Sequence, residues 1–149
     1  MRLHTFLASG FGAGYAPKAP GTFGSLVGLV LGGLLLSLGH LPLLFGIAAV
    51  SALGIYVVGK LPEHAAADPG WIVIDEIAGQ MIPLLALYDF SLSGALLCFV
   101  LFRLFDIWKI GPVAWMDRRH DEYGIMGDDI FAGLMAWVIV LALHLVSPL

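Results

Sequence analysis

Charge is scarce in this chain. Only 12% of its 149 residues are Asp, Glu, Lys or Arg, against 60% hydrophobic ones, far from the balance of an ordinary globular domain. So little charge cannot cover a soluble core of that size, so the long uncharged runs read as membrane helices rather than as the buried helices of a water-soluble protein. Cysteine is nearly absent too. A lone Cys98 excludes a disulfide framework, and no paired Cys/His spacing suggests zinc. Nor is there an excess of base: the formal charge is −4 and the pI near 5.6, which argues against a nucleic-acid partner. No cleavable signal stands out, because Arg2 is followed by a short mixed stretch and a Gly/Pro-rich loop, not by a compact apolar segment.

What is present is a set of uncharged runs: Phe23 to Leu38, Leu43 to Gly59, Ile77 to Leu87, Leu92 to Phe102 and Ile130 to Val146. They predict a single all-α domain over residues 1–149, a polytopic membrane bundle of about five helices. Most runs fall a little short of the roughly 20 residues that span a bilayer core. The third and fourth are shorter still and read either as a shallow hairpin turning at Asp89 to Ser91 or as helices extending past their charged ends.

With the N-terminus cytoplasmic, Arg2, Lys18, Lys60, Lys109, Arg118 and Arg119 fall in cytoplasmic segments and Arg103 at the cytoplasmic end of the fourth helix. The opposite segments then hold no Lys or Arg at all, the asymmetry of the positive-inside rule. The same topology puts Asp75, Glu76, Asp106, Asp128 and Asp129 at one interface and leaves Asp89 opposite.

In the first run Gly24, Gly28 and Gly32 recur every fourth residue, a bare stripe on which another helix backbone can pack. The acid pairs carry more chemistry. "DEIAG" at Asp75 to Gly79 and "DDIFAG" at Asp128 to Gly133 each set two acids before an isoleucine and Ala-Gly. Helix capping is the bland reading of either pair. Together, on helices leaving the same leaflet, they bring four carboxylates to one level, where like charges raise one another's pKa unless a cation intervenes. Oxygen ligands of this kind suit Mg²⁺ or Mn²⁺.

"FRLFDIWK" spaces Arg103, Asp106 and Lys109 three apart, so that Asp106 can meet both cations along one helix surface. Beside a metal and a phosphate, Arg103 or Lys109 would bind phosphoryl oxygens. "GYAPKAPGTFGS" is a loop with one cation, Lys18, and its Gly21 and Thr22 would offer backbone N–H groups to an anion at a helix start. "GFGAG" is no nucleotide fingerprint, lacking a preceding strand. "EHAAAD", Glu63 to Asp68, and the run His120, Asp121, Glu122 read as solvated, and His4, His40 and His144 are scattered.

In this order and spacing "APGTFGS", "IDEIAG", "FRLFDIWK" and "GIMGDDIFAG" resemble the phosphatidylglycerophosphatase A family over about Gly10 to Trp137. The resemblance implies a helical bacterial inner-membrane enzyme that hydrolyses phosphatidylglycerophosphate to phosphatidylglycerol and phosphate with Mg²⁺. Two departures lie in the loop before the last helix. Ile110 and Gly111 stand where the family has a Lys-Pro-x-Pro pattern, and Asp121, Glu122 and Tyr123 stand where it is glycine-rich.

The two lines of reading join in one expectation. Asp75, Glu76, Asp128 and Asp129 hold Mg²⁺; Lys18, Arg103, Lys109 and Thr22 bind the phosphate; and Asp106, with Glu76 and Asp129, serves the reaction by completing the metal shell or orienting water. An aspartyl-phosphate intermediate stays open. The expected partners are the bilayer and the lipid substrate, with self-association as a homo-oligomer left open. The rival reading, a small cation-coupled transporter or channel, needs polar groups near the midplane, where this sequence has almost none.

Overall fold

The computed structural model describes residues 2–62 and 67–147. Its elements are α1 (Leu3–Ala8), a 3₁₀ turn (Ala13–Tyr15), α2 (Pro20–Leu38), α3 (His40–Val58), α4 (Ile74–Met81) continuing as a 3₁₀ turn (Ile82–Ala86), α5 (Leu92–Trp108), α6 (Pro112–Asp117) and α7 (Glu122–Val146). Among the described residues there is no strand, as the all-α reading expects.

α4 is the axis of the bundle. It is buried on nearly every face, and its neighbours approach through glycines. A Cβ on Gly24 would lie 2.7 Å from Val73, one on Gly28 2.6 Å from the Ile77 carbonyl, and one on Gly32 2.6 Å from Leu84. The bare stripe of α2 therefore lies directly on α4, with the two helices parallel. On the other side α7 does the same, since a Cβ on Gly133 would sit 2.3 Å from the Gly79 carbonyl. α3 and α5 run antiparallel to α4: Gly54 of α3 meets Ile74 while Gly46 meets Met81, and Phe102 of α5 meets Gly79 while Gly94 meets Leu87.

The chain thus alternates between two ends. One holds the N-termini of α2 and α4, the early turns of α7 and the C-termini of α3 and α5. The other is closed by Gly39, whose φ of +122° only glycine adopts readily, by His40 Nε2 at 2.8 Å from the Leu87 carbonyl, and by Phe90 packed against Gly33.

Among the described residues three helices, Pro20–Leu38, His40–Val58 and Glu122–Val146, are long and apolar enough to cross a membrane, against the expectation of about five. α5 has 17 residues. The third predicted run divides because Pro83, lacking an N–H, cannot extend the α-helical ladder, and the chain tightens into a 3₁₀ turn. With 8 α-helical and 5 3₁₀ residues this segment reaches about 22 Å, short of a bilayer core of roughly 30 Å. It is wrapped by protein, so its polar groups never meet lipid.

Outward faces of the long helices carry Val30, Leu34, Phe45 and Val138, all well exposed. Trp108, Trp115, Tyr15 and Tyr123 are exposed at the carboxylate-rich end, the position at which amphipathic rings border a membrane.

Candidate active site

Two parallel helices in glycine contact place the acids. Gly79 of α4 opposes α7, where a Cβ on it would lie 2.5 Å from the Asp129 carbonyl. One turn before Gly79 stands Asp75, and one turn before Gly133 stands Asp129. The echo between "DEIAG" and "DDIFAG" is therefore spatial: the glycines set the register, and Asp75 and Asp129 arrive at the same level. Carboxylate oxygens of Asp75, Asp128 and Asp129 lie within 4.8 Å of one another, and all three residues are buried, at 4%, 3% and 2% exposure.

Capping does not account for them. The N-cap of α7 is Asp121, whose carboxylate accepts the Gly124 N–H at 2.7 Å. Asp128 and Asp129 therefore lie well inside α7 and not ahead of it, a correction to the helix start expected at Ile130. α4 begins at Ile74 with Val73 as N-cap and no side-chain cap, so Asp75 and Glu76 occupy its first turn and neither is its N-cap.

The carboxylates differ in how they are satisfied. Asp128 Oδ2 accepts from Lys109 Nζ at 2.6 Å and Oδ1 from the Asp129 N–H at 2.9 Å. Asp75 Oδ1, Asp129 Oδ1 and Glu76 Oε2 are buried with no hydrogen-bond donor among the described residues. Burial pushes Asp75 well above the usual carboxylate range, with the Glu76 charge adding to it, and raises Glu76 to about 7. Buried anionic oxygens facing one another are costly unless a cation joins them. The all-oxygen set of Asp75, Asp128 and Asp129 fits a hard divalent cation such as Mg²⁺.

Glu76 lies within hydrogen-bond reach of the Asp75 carboxyl and also faces α2. A Cβ on Gly21 would lie 2.5 Å from its Oε1 and 3.2 Å from Arg103 Nη1. Arg103 ion-pairs with Asp106 and donates to Ser25 Oγ at 3.4 Å, and the Asp106 charge is near enough to raise Glu76 further. Glu76, Arg103, Asp106 and Ser25 therefore form a second polar group alongside the three aspartates.

The even spacing in "FRLFDIWK" predicted one row of contacts, and the structure breaks it. Arg103 meets Asp106, but Lys109 caps α5 in the left-handed conformation, at φ +47°, and its side chain leaves the helix surface. It bridges Asp128 and, at 2.7 Å, Asp117. Burial works against the Lys109 charge, and its two carboxylate partners outweigh that and raise its pKa. Gly111, at φ +59°, and Pro112 then start α6.

Lys18 lies exposed on its loop and forms no ion pair among the described residues. The Thr22 N–H is taken by the Ala19 carbonyl at 2.9 Å, so the amide expected to greet an anion is already bonded. Of "EHAAAD", residues 63–66 lie outside the described residues, but Asp68 does not stand apart: it clusters with Asp117 and Asp128 at the edge of a cavity of about 210 Å³ that also meets Arg119 and His120. Asp68, Asp117, Ser25 and Gln80 are the polar residues here that spacing did not single out. Only Ser25 left a trace, one turn after Gly21 on the same small-residue face.

Fold and site together define a helical membrane protein with a carboxylate centre at one end of its bundle. The chain belongs to the phosphatidylglycerophosphatase A family, whose model matches residues 6–144, and is accordingly a phosphoric monoester hydrolase. It is 41% identical over 141 residues to phosphatidylglycerophosphatase A of Haemophilus influenzae, covering 93% of this chain and 86% of that one. It is 38% identical over 136 residues to the Escherichia coli K12 protein of the same name, covering 87% and 77%. A Bacteroides thetaiotaomicron protein provisionally named a phosphatidylinositol-3-phosphatase is 35% identical over 145 residues, covering 93% and 91%. No solved structure matches significantly.

Proposed function

We propose that this chain removes the terminal phosphate of phosphatidylglycerophosphate, yielding phosphatidylglycerol and inorganic phosphate, at the cytoplasmic face of a bacterial inner membrane. The observation that carries the reading is the convergence of Asp75, Asp128 and Asp129, with orphaned buried oxygens on Asp75 and Asp129, at the end of the bundle where Trp108 and Trp115 are exposed. A lipid phosphomonoester keeps its acyl chains in the bilayer and its phosphate at the interface, so hydrolytic groups belong at that depth. All seven Lys and Arg lie at or beyond this same end in the alternating topology, which supports a cytoplasmic orientation.

Asp75, Asp128 and Asp129 would hold Mg²⁺. Bound there, the ion would supply charge neutralisation for the phosphoryl group and acidify a water. Arg103 offers a guanidinium to phosphoryl oxygens, and its pairing with Asp106 fixes the fork. Glu76, raised to about 7 by burial, is suited to take a proton from the attacking water near neutral pH. Lys109 pairs with Asp128 and orients it. Lys18 and the Thr22 hydroxyl stay as phosphate contacts on approach of the headgroup.

Phosphate release from phosphatidylglycerophosphate in detergent micelles, with Mg²⁺ and with a chelator, tests this reading, and phosphatidylinositol 3-phosphate is the comparison substrate. Chelation should abolish turnover; indifference to it removes the metal. Preference for the inositol lipid would move the headgroup assignment while keeping the centre.

A further inference from the structure

Gln80 is a buried polar residue that none of this chemistry uses. It stands in the last turn of α4, fully buried, and neither Nε2 nor Oε1 has a hydrogen-bond partner among the described residues. A carboxamide in that state is a standing cost to the fold, and an apolar side chain of similar volume would avoid it.

Its surroundings indicate what it serves. Gln80 lies one turn after Glu76 on the same face of α4, and helical side chains lean toward the helix N-terminus, so the carboxamide is directed at the level of Glu76. Glu76 Oε2 is an orphan acceptor at that level. Both residues share one seam with α2: a Cβ on Gly28 would lie 3.1 Å from Gln80 Cβ, and one on Gly21 meets Glu76. Between these two glycines sits Ser25, its hydroxyl within reach of Arg103. Gln80 is the deepest member of this polar row, beyond which the seam is apolar.

We propose that Gln80 is a positioning residue, donating its amide N–H through one bridging water to the orphaned Glu76 Oε2, and so holding that carboxylate in a single orientation beside Arg103. The inference rests on the reading above that Glu76 belongs to the reaction centre.

The test compares Gln80→Met, Glu76→Gln and the double variant in the same micellar assay with Mg²⁺, together with thermal unfolding in detergent. Gln80→Met should lower kcat about ten- to hundredfold, as loss of a supporting hydrogen bond does, with KM unchanged within about twofold. Its Tm should change little, because removing the partnerless Oε1 offsets the donor that Glu76 loses. In the Glu76→Gln background the same change should cost nothing further. Gln80→His, which keeps a ring N–H, should recover most of the lost turnover.

Losses that multiply in the double variant, a Tm that falls in step with kcat, or a Gln80→His variant as slow as Gln80→Met would each overturn the proposal. Where Glu76→Gln is too slow to measure, the Tm and the histidine rescue decide. An inactive wild type would refute the functional reading; an active wild type with unimpaired Gln80→Met refutes this inference alone.

Discussion

Two acidic clusters share Asp128 and are neutralised differently. Toward solvent, Asp68 and Asp117 are exposed, and Lys109 joins Asp117 to Asp128. Toward the bundle, Asp75 and Asp129 are buried and no ammonium or guanidinium among the described residues reaches their orphaned oxygens. At the rim the chain and water balance the charge. In the interior the chain supplies no partner to the orphaned oxygens, the condition under which a bound cation would contribute most. The difference separates an acidic cluster bridged by the chain's own lysine from one whose buried oxygens it leaves unpartnered.

The comparison is broken most completely by separating the helices that create it. Gly133→Val would drive a side chain into the Gly79 carbonyl, 2.3 Å from the new Cβ, and should abolish recovery of monodisperse folded protein by size-exclusion chromatography. A smaller effect, on turnover alone, separates the clusters. Asp129→Asn should lower phosphate release by at least about a hundredfold in protein that stays folded, since the loss of even supporting groups costs ten- to hundredfold. Asp117→Asn should change it by less than about tenfold, because exposed ion pairs contribute roughly 0–1 kcal/mol. Equal losses in the two variants would end the distinction. Lys109→Met falls between: Asp128 loses its cation, and about a tenfold drop is expected, partly offset by raising Mg²⁺.

The smallest effect is on stability against pH in chelator. Glu76 binds its proton more tightly folded, at about 7, than its ordinary 4.5, so the folded state holds the extra proton between those values. Stability from this group is present below about 4.5 and is lost as pH rises toward 7. The Tm of metal-free protein should fall across that window, and Glu76→Gln should flatten the change. An unchanged slope in that variant would assign the titration to other groups.

Much of this was legible in the residues. The uncharged runs located the three helices long and apolar enough to cross a membrane, because hydropathy follows directly from composition, and the glycine stripe announced the α2 face that α4 occupies. The register of α4 against α7 was visible only as a verbal echo between two short motifs. Pairing Asp75 with Asp129 depends on which glycines touch, a relation between segments some fifty residues apart in the chain. Helix ends were least readable. α7 extends two turns before its apolar run because Asp121 caps it and Gly124, buried against the Arg119 carbonyl, starts it. Lys109 left its predicted row because one left-handed residue redirects a side chain, which periodicity assumes away.

By itself the sequence determined the solvent this protein lives in, the end of the bundle that carries charge and the side chains available for phosphate chemistry, since each depends on what the residues are. Tertiary structure alone decided which carboxylates converge, which cation is spent on the rim, and that Glu76 and Gln80 face one seam. Those outcomes depend on backbone approach through glycines and on single dihedral angles, and neither is written in composition or in spacing.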